Sequence, residues 1–215
     1  MRHRIPKRLP RLARSRVMAG VAALLAIIAV AAGCSSDAAP APTPSVSAPG
    51  SVAPSAAMAP LARSAPVRVQ IPAIGVDSTL MQLGLRADGS LQVPPSGFPA
   101  GWYTGAPTPG ELGPAILAGH VDWGGQPGVF SRLRELAPDA EVTVTRQDGS
   151  AALFRVTQVE EYPKDKFPTD VVYGDLDHPG LRLITCGGMF DRQTRNYEDN
   201  IVAFADLVAT HPASA

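Results

Sequence analysis

Apolar and polar residues alternate in short runs along most of the chain. Val67-Arg68-Val69-Gln70-Ile71 has the period of a strand with one buried face. Thr79 to Leu85 predicts a second strand, and Asp88-Gly89 a turn before Leu91-Gln92-Val93. Pro94 to Gly113 is dense in proline and glycine and predicts a loop, with Trp102 and Tyr103 inside it. Pro114 to Ala118 is a short apolar strand that ends at Gly119-His120. Val129, Phe130, Leu133 and Leu136 fall on one face of a short helix predicted over 129–136. Glu141 to Thr145 and Ala152 to Val156 flank Gln147-Asp148-Gly149-Ser150 as a hairpin. Leu181 to Thr185 and Ile201 to Phe204 are the last strands, and the pair Gly187-Gly188 is expected to turn the chain directly after Cys186. Many short strands and little helix predict a mainly β domain, a closed or nearly closed barrel.

The first 66 residues follow a different pattern. Residues 1–16 carry seven basic side chains and no acid, and Val17 to Gly33 is an uncharged run of 17 residues. Positive charge ahead of an apolar segment is an export pattern, with the basic end kept in the cytoplasm. Two readings stand side by side: a signal-anchor that stays in the membrane, or a lipoprotein signal. In the second, Ala31-Ala32-Gly33-Cys34 resembles a lipobox with a lipid on Cys34. Either one leaves the remainder tethered at the extracytoplasmic face of the membrane. Residues 34–66 are mostly Ala, Pro and Ser, a composition that buries too little to fold. Their prolines favour extended chain of about 3.1 Å per residue, a semi-rigid spacer with a reach of roughly 90 Å. The folded domain is expected over 67–208, with a tail over 209–215.

Charge and cysteine count narrow the chemistry. The formal net charge is zero, yet residues 63–215 hold 12 basic and 18 acidic side chains, a net of −6. An acidic domain argues against a nucleic-acid partner. Cys34 and Cys186 lie in different segments, so no disulfide framework is expected. Two cysteines and four scattered histidines show no metal-ligand spacing, and no cofactor is implied.

Cys186 ends a strand beside flexible backbone, where a thiol serves as a nucleophile if its surroundings favour the thiolate. The plainer alternative is a small buried hydrophobe. His120 also follows a strand end, and strand ends of a barrel meet at one rim. There an imidazole can take the thiol proton. His178, beside Pro179, and His211, in the tail, read as surface histidines; His3 lies in the basic leader. An acyl-transfer site also needs donors for an oxyanion, and arginine suits that task. Arg192 and Arg195 follow Cys186, and Arg182 shares a strand face with it. Asp122 either orients His120 or caps a turn. Trp123, Trp102 and Tyr103 line a groove or cover the barrel, and Trp102 equally suits the core.

Leu117-Ala118-Gly119-His120, Val129-Phe130-Ser131-Arg132-Leu133 and Leu183-Ile184-Thr185-Cys186, in that order, resemble the sortase family of cysteine transpeptidases. Asn200-Ile201-Val202-Ala203-Phe204 is similar to the family's closing strand. Tyr162-Pro163-Lys164, Phe167-Pro168-Thr169 and Thr185-Cys186-Gly187-Gly188 with Phe190-Asp191 resemble the actinobacterial class F branch. The resemblance implies an eight-stranded β-barrel with one or two short helices. It implies that Cys186 attacks the Thr–Gly bond of a Leu-Pro-x-Thr-Gly-like sorting signal of secreted surface proteins. His120 would be the general acid/base, and an amine on a peptidoglycan precursor or another protein would resolve the thioester. The family's arginine maps least cleanly. Asp199 and Asn200 stand where it often precedes the last strand; Arg195, nine residues after Cys186, is favoured, with Arg192 and Arg182 as alternatives. Asp122, Trp123, Thr185 and Asn200 are the expected substrate-side residues, Asn200 as a neutral hydrogen-bond donor.

Two rival cysteine enzymes fit less well. An L,D-transpeptidase is expected to carry a His-Gly-Cys cluster, and a cell-wall peptidase to place Cys before His. A tethered, non-catalytic wall-binding module fits the leader and spacer equally well and differs only in having no use for a reactive Cys186.

Overall fold

The computed structural model describes residues 58–213. The basic leader, the apolar run, Cys34 and the spacer up to residue 57 lie outside the described residues. Ten strands follow in chain order: β1 (Pro66–Ile71), β2 (Val76–Leu83), β3 (Ala100–Tyr103), β4 (Gly113–Ala118), β5 (Asp122–Trp123), β6 (Gln126–Pro127), β7 (Glu141–Arg146), β8 (Ala151–Pro163), β9 (Pro179–Asp191) and β10 (Asn196–His211). A five-residue helix, α1 (Thr169–Tyr173), and short 3-10 turns at Pro72–Ile74, Leu133–Glu135 and Lys164–Lys166 complete the elements.

Eight strands close a barrel in the order β1-β2-β3-β4-β9-β10-β8-β7, and β5 and β6 form a separate small hairpin. The pairs β2–β3 and β4–β9 are parallel; the others are antiparallel. Alternation along each strand separates two apolar clusters. The inner one takes Val69, Val144, Phe154, Ala115, Leu117, Leu181, Leu183 and Ala203 from around the wall. The outer one takes Ile116, Ala118, Ile184, Val202 and Phe204 from β4, β9 and β10, covered by Val172 of α1 and Leu91. Both faces of β4 are therefore buried, which is why it reads as an unbroken apolar run. Cys186 packs at the edge of the outer cluster.

Three expectations are corrected. Residues 129–136 do not form a helix. The N–H groups of Ser131, Leu133, Glu135 and Leu136 donate to carbonyls three residues back, so the segment is a run of tight turns in which only Leu133–Glu135 is a 3-10 turn. The N–H groups of Val129 and Phe130 donate to Gly97 O and His120 O. The four apolar residues are buried all the same. The expected loop over 94–113 contains β3, whose Trp102 is a core residue, while Tyr103 lies partly buried against the outer cluster. The glycine pair does not turn the chain. Strand β9 runs on to Asp191, and the ladder with β10 is bulged between Tyr197 and Asp199. Gly188 adopts φ 75°, and a Cβ there would collide with the Asp199 carboxylate. The stretch from Leu61 to Pro66, within the expected spacer, lies against the barrel. Leu61 N donates to Gly110 O, Ser64 N to Thr108 Oγ1, and Gln147 N to Ala65 O.

Candidate active site

Strands β4 and β9 run parallel and pair Ala118 with Ile184. His120 and Cys186 each stand two residues beyond that pair, so they leave adjacent strands at one level, with neighbouring strands about 4.8 Å apart. Two buried bonds lock this register past the ladder. Gly119 N donates to Ile184 O at 3.1 Å, and the hydroxyl of Thr185 donates to Gly119 O at 2.9 Å. The His120 carbonyl accepts from Phe130 N, over Gly128, where a Cβ would strike that carbonyl. The residue after the apolar strand is thus fixed by the turn that replaced the expected helix.

His120 Nε2 lies 2.8 Å from the carbonyl oxygen of Pro94. A carbonyl only accepts, so Nε2 carries the proton and Nδ1 is left as the basic nitrogen. The indole of Trp123 packs on the imidazole, with centroids 4.8 Å apart, and stays half exposed. Asp122 does not orient His120. Its carboxylate accepts a hydrogen bond from the hydroxyl of Tyr197. That bond and the nearby charges of Asp122 and Cys186 push the Tyr197 phenol up to about 12.

Cys186 is a free thiol, partly exposed. Across the ladder it pairs with Asn200. Asn200 is fully buried, and its amide nitrogen and oxygen have no hydrogen-bond partner among the described residues. Lys164 Nζ lies 3.7 Å from Cys186 Sγ and donates to Asn196 Oδ1 at 2.8 Å and to the Tyr197 carbonyl. Tyr197 therefore bridges two sides: its carbonyl holds the lysine, and its phenol holds the aspartate that follows His120 by two residues.

The arginines lie elsewhere. Arg192 and Arg195 are exposed in the turn joining β9 to β10, Arg195 with φ 52°. Strand rise puts this turn roughly 15 Å along the hairpin from Cys186. Arg182 does share the face of Cys186, but it is buried, stacked 4.6 Å over the Phe204 ring, with Nη1 on Leu181 O. Desolvation pulls its pKa below the usual arginine value. It is a packing residue of the outer cluster.

A cavity of about 610 Å³ opens next to the segment that follows His120, lined by Val121, Asp122, Pro127, Ser131, Phe190 and Tyr197. Phe190 packs edge-on against Tyr197 and is about half exposed, as Trp123 is. An apolar rim around a few polar groups suits an extended peptide with an apolar residue. Among the described residues no His, Cys, Asp and Glu cluster could hold a metal ion. Sequence reasoning named Lys164 only as part of a motif and did not single out Tyr197 or the Pro94 carbonyl. A carbonyl leaves no residue-type signal, and Lys164 lies 22 positions from the cysteine it reaches.

A family profile for the sortase domain matches residues 69–208. No curated protein matches the chain significantly. The fold is similar to sortase A of Listeria monocytogenes, at TM-score 0.53 and 16% identity, over 71% of this chain and 92% of that one. It is also similar to sortase E1 of Streptomyces coelicolor with a tripeptide in its active site, at TM-score 0.52 and 18% identity, over 70% and 91%. A lid mutant of sortase A from Corynebacterium diphtheriae matches at TM-score 0.53 and 16% identity, over 69% and 73%. At these identities the likeness is one of fold.

Proposed function

This chain belongs to the sortase family of cysteine transpeptidases, and from that premise we propose that it cleaves a Leu-Pro-x-Thr-Gly-like sorting signal between threonine and glycine. Cys186 is the nucleophile and His120 the general acid/base. The observation that carries the reading is the placing of both residues two positions beyond the same β4–β9 pair, locked by the Thr185–Gly119 bond.

In the reaction the thiol gives its proton to Nδ1 of His120, the nitrogen left basic by the Pro94 contact. The sulfur attacks the threonine carbonyl carbon, and the carbon–sulfur bond forms as the π pair moves to oxygen. Asn200, paired with Cys186 across the ladder and with no partner for its buried amide, donates the hydrogen bond to that oxyanion once bound substrate opens the site around it. A buried donor without a partner costs about 1–3 kcal/mol, so a role in the reaction accounts for its retention. Collapse breaks the carbon–nitrogen bond, and the glycine amine leaves with the proton from His120. An incoming amine, on a peptidoglycan precursor or another protein, reverses these steps and frees Cys186. Arg195, at the hairpin tip, meets the substrate chain away from the reacting atoms. Asp122 and Phe190 border the groove that takes it, and Trp123 stands beside His120.

The motifs around Tyr162, Phe167 and Cys186 support a class F assignment. The basic leader and apolar run support a protein held at the extracytoplasmic face of the membrane, by that segment or by a lipid on Cys34. The test is product analysis. Incubation with a Leu-Pro-x-Thr-Gly peptide and triglycine is expected to yield a threonine–triglycine ligation product; cleavage at another bond would overturn the Thr–Gly specificity, and no cleavage across a varied peptide library would favour the wall-binding module.

A further inference from the structure

Outside the histidine–cysteine pair, the molecule was left without the cation that a thiolate site calls for: the arginines are either distant or packed away. The turn Lys164–Lys166 closes this gap. It follows β8 directly and lies over the root of the β9–β10 hairpin, bringing Lys164 Nζ to 3.7 Å from Cys186 Sγ. Its other described partners, Asn196 Oδ1 and the Tyr197 carbonyl, are neutral oxygens. Its charge is therefore held in place without being cancelled by a carboxylate in direct contact.

We infer that Lys164 is a catalytic residue of this site, the ammonium that holds Cys186 as the reactive thiolate, in the role the sequence assigned to an arginine. The inference rests on the reading of Cys186 as the nucleophile. The surroundings make the charge necessary. The cavity that Lys164 lines, of about 510 Å³, also carries Asp165, Asp191, Glu198 and Asp199. Glu161, behind Gly187, is paired with Arg134. Tyr197, which interacts electrostatically with Cys186, carries no positive charge, and Arg182, on the same strand face, has its guanidinium turned onto Phe204. Among the described residues Lys164 is the one cation with a hydrogen bond to the sulfur. The step balances without a proton from Lys164: the thiol proton goes to His120 and the electron pair of the new bond comes from sulfur. A lysine serves here as a compact point charge, which needs no fork of donors.

The test measures thiol reactivity, which does not depend on the peptide substrate. The second-order rate of Cys186 alkylation by iodoacetamide at pH 7 is compared in the full-length wild type, K164M, K164Q and K164R. Cys34 is replaced by serine throughout, so that one thiol is read. K166M, in the same turn, serves as control. The expected result is a fall of about tenfold in K164M and K164Q, with K164R within about threefold of wild type and K166M unchanged. Thermal melting records whether each variant is folded, and K164Q keeps a donor for Asn196 should K164M lose structure. Wild-type alkylation rates in folded K164M or K164Q would overturn the inference. A tenfold fall without any peptide cleavage by the wild type would leave Lys164 in place and remove the sorting-signal reading instead.

Discussion

The hydroxyl of Thr185 donates to the carbonyl oxygen of Gly119 across 2.9 Å of buried space, one residue before Cys186 and one before His120. It ties together the ends of two parallel strands just where their hydrogen-bond ladder stops. Thr185→Val keeps the shape and removes the donor, leaving the Gly119 carbonyl buried and unpaired. The expected loss is about 1–2 kcal/mol of stability in urea denaturation. Because the bond sets the relative height of the His120 and Cys186 side chains, the proposed mechanism predicts that kcat falls more than KM rises.

Asp122 and Tyr197 form a second tie, between the β5–β6 hairpin and β10. Asp122 acts on His120 only through the backbone and this bond, so Asp122→Asn is expected to cost far less activity than His120→Ala. Tyr197→Phe and Asp122→Asn should be non-additive, with a coupling of about 1 kcal/mol in a double-mutant cycle of kcat/KM. Full additivity would mean that the phenol and the carboxylate work separately.

The roles proposed for Asn200 and Arg195 predict different kinetic signatures. Asn200→Ala is expected to lower kcat about a hundredfold with little change in KM, as for the loss of an oxyanion donor. Arg195→Ala is expected to raise KM severalfold while leaving the alkylation rate of Cys186 at the wild-type value. Steady-state kinetics on one peptide separates the two.

His178 gives a pH-dependent contribution away from the site. Its hydrogen bond to Asp177, with a second to Asp206, raises its pKa above 6.5 in the folded state. The protonated form is the one the fold favours. Its stabilisation is therefore complete below about pH 6.5, the unfolded value, and is lost as pH rises through the raised folded value. The side chain is 36% exposed, so solvent screening keeps the effect under about 1 kcal/mol. His178→Gln is expected to destabilise the protein at pH 5.5 and to match it at pH 9, read by urea midpoints.

Much of this was legible in the chain, and the rest was not for physical reasons. The barrel follows from strands whose alternation survives in the burial pattern, as in β7, while in β1 it holds from Arg68 onward and a bulge leaves Val67 exposed. The apolar stripe at Val129, Phe130, Leu133 and Leu136 identified the buried residues but not the element, because a turn that bonds to distant carbonyls buries the same side chains. Strand β3 was hidden among prolines and glycines: its pairing with β2 is parallel and non-local. Cys186 and His120 were visible as residue types at strand ends. Lys164 was hidden because the long strand β8 carries it to the cysteine, and strand length is set by pairing with β10 rather than by local pattern.

The most direct test of the account is intact-mass spectrometry of the protein mixed with a Leu-Pro-x-Thr-Gly peptide, before and after addition of triglycine. The account predicts an added mass equal to the peptide's acyl portion through threonine, located on Cys186 and discharged by the amine. It should be absent in Cys186→Ala and no longer form at a measurable rate in His120→Ala. An adduct that persists in Cys186→Ala, or wild-type protein that never gains the mass while the peptide is cleaved, would contradict a thioester on Cys186.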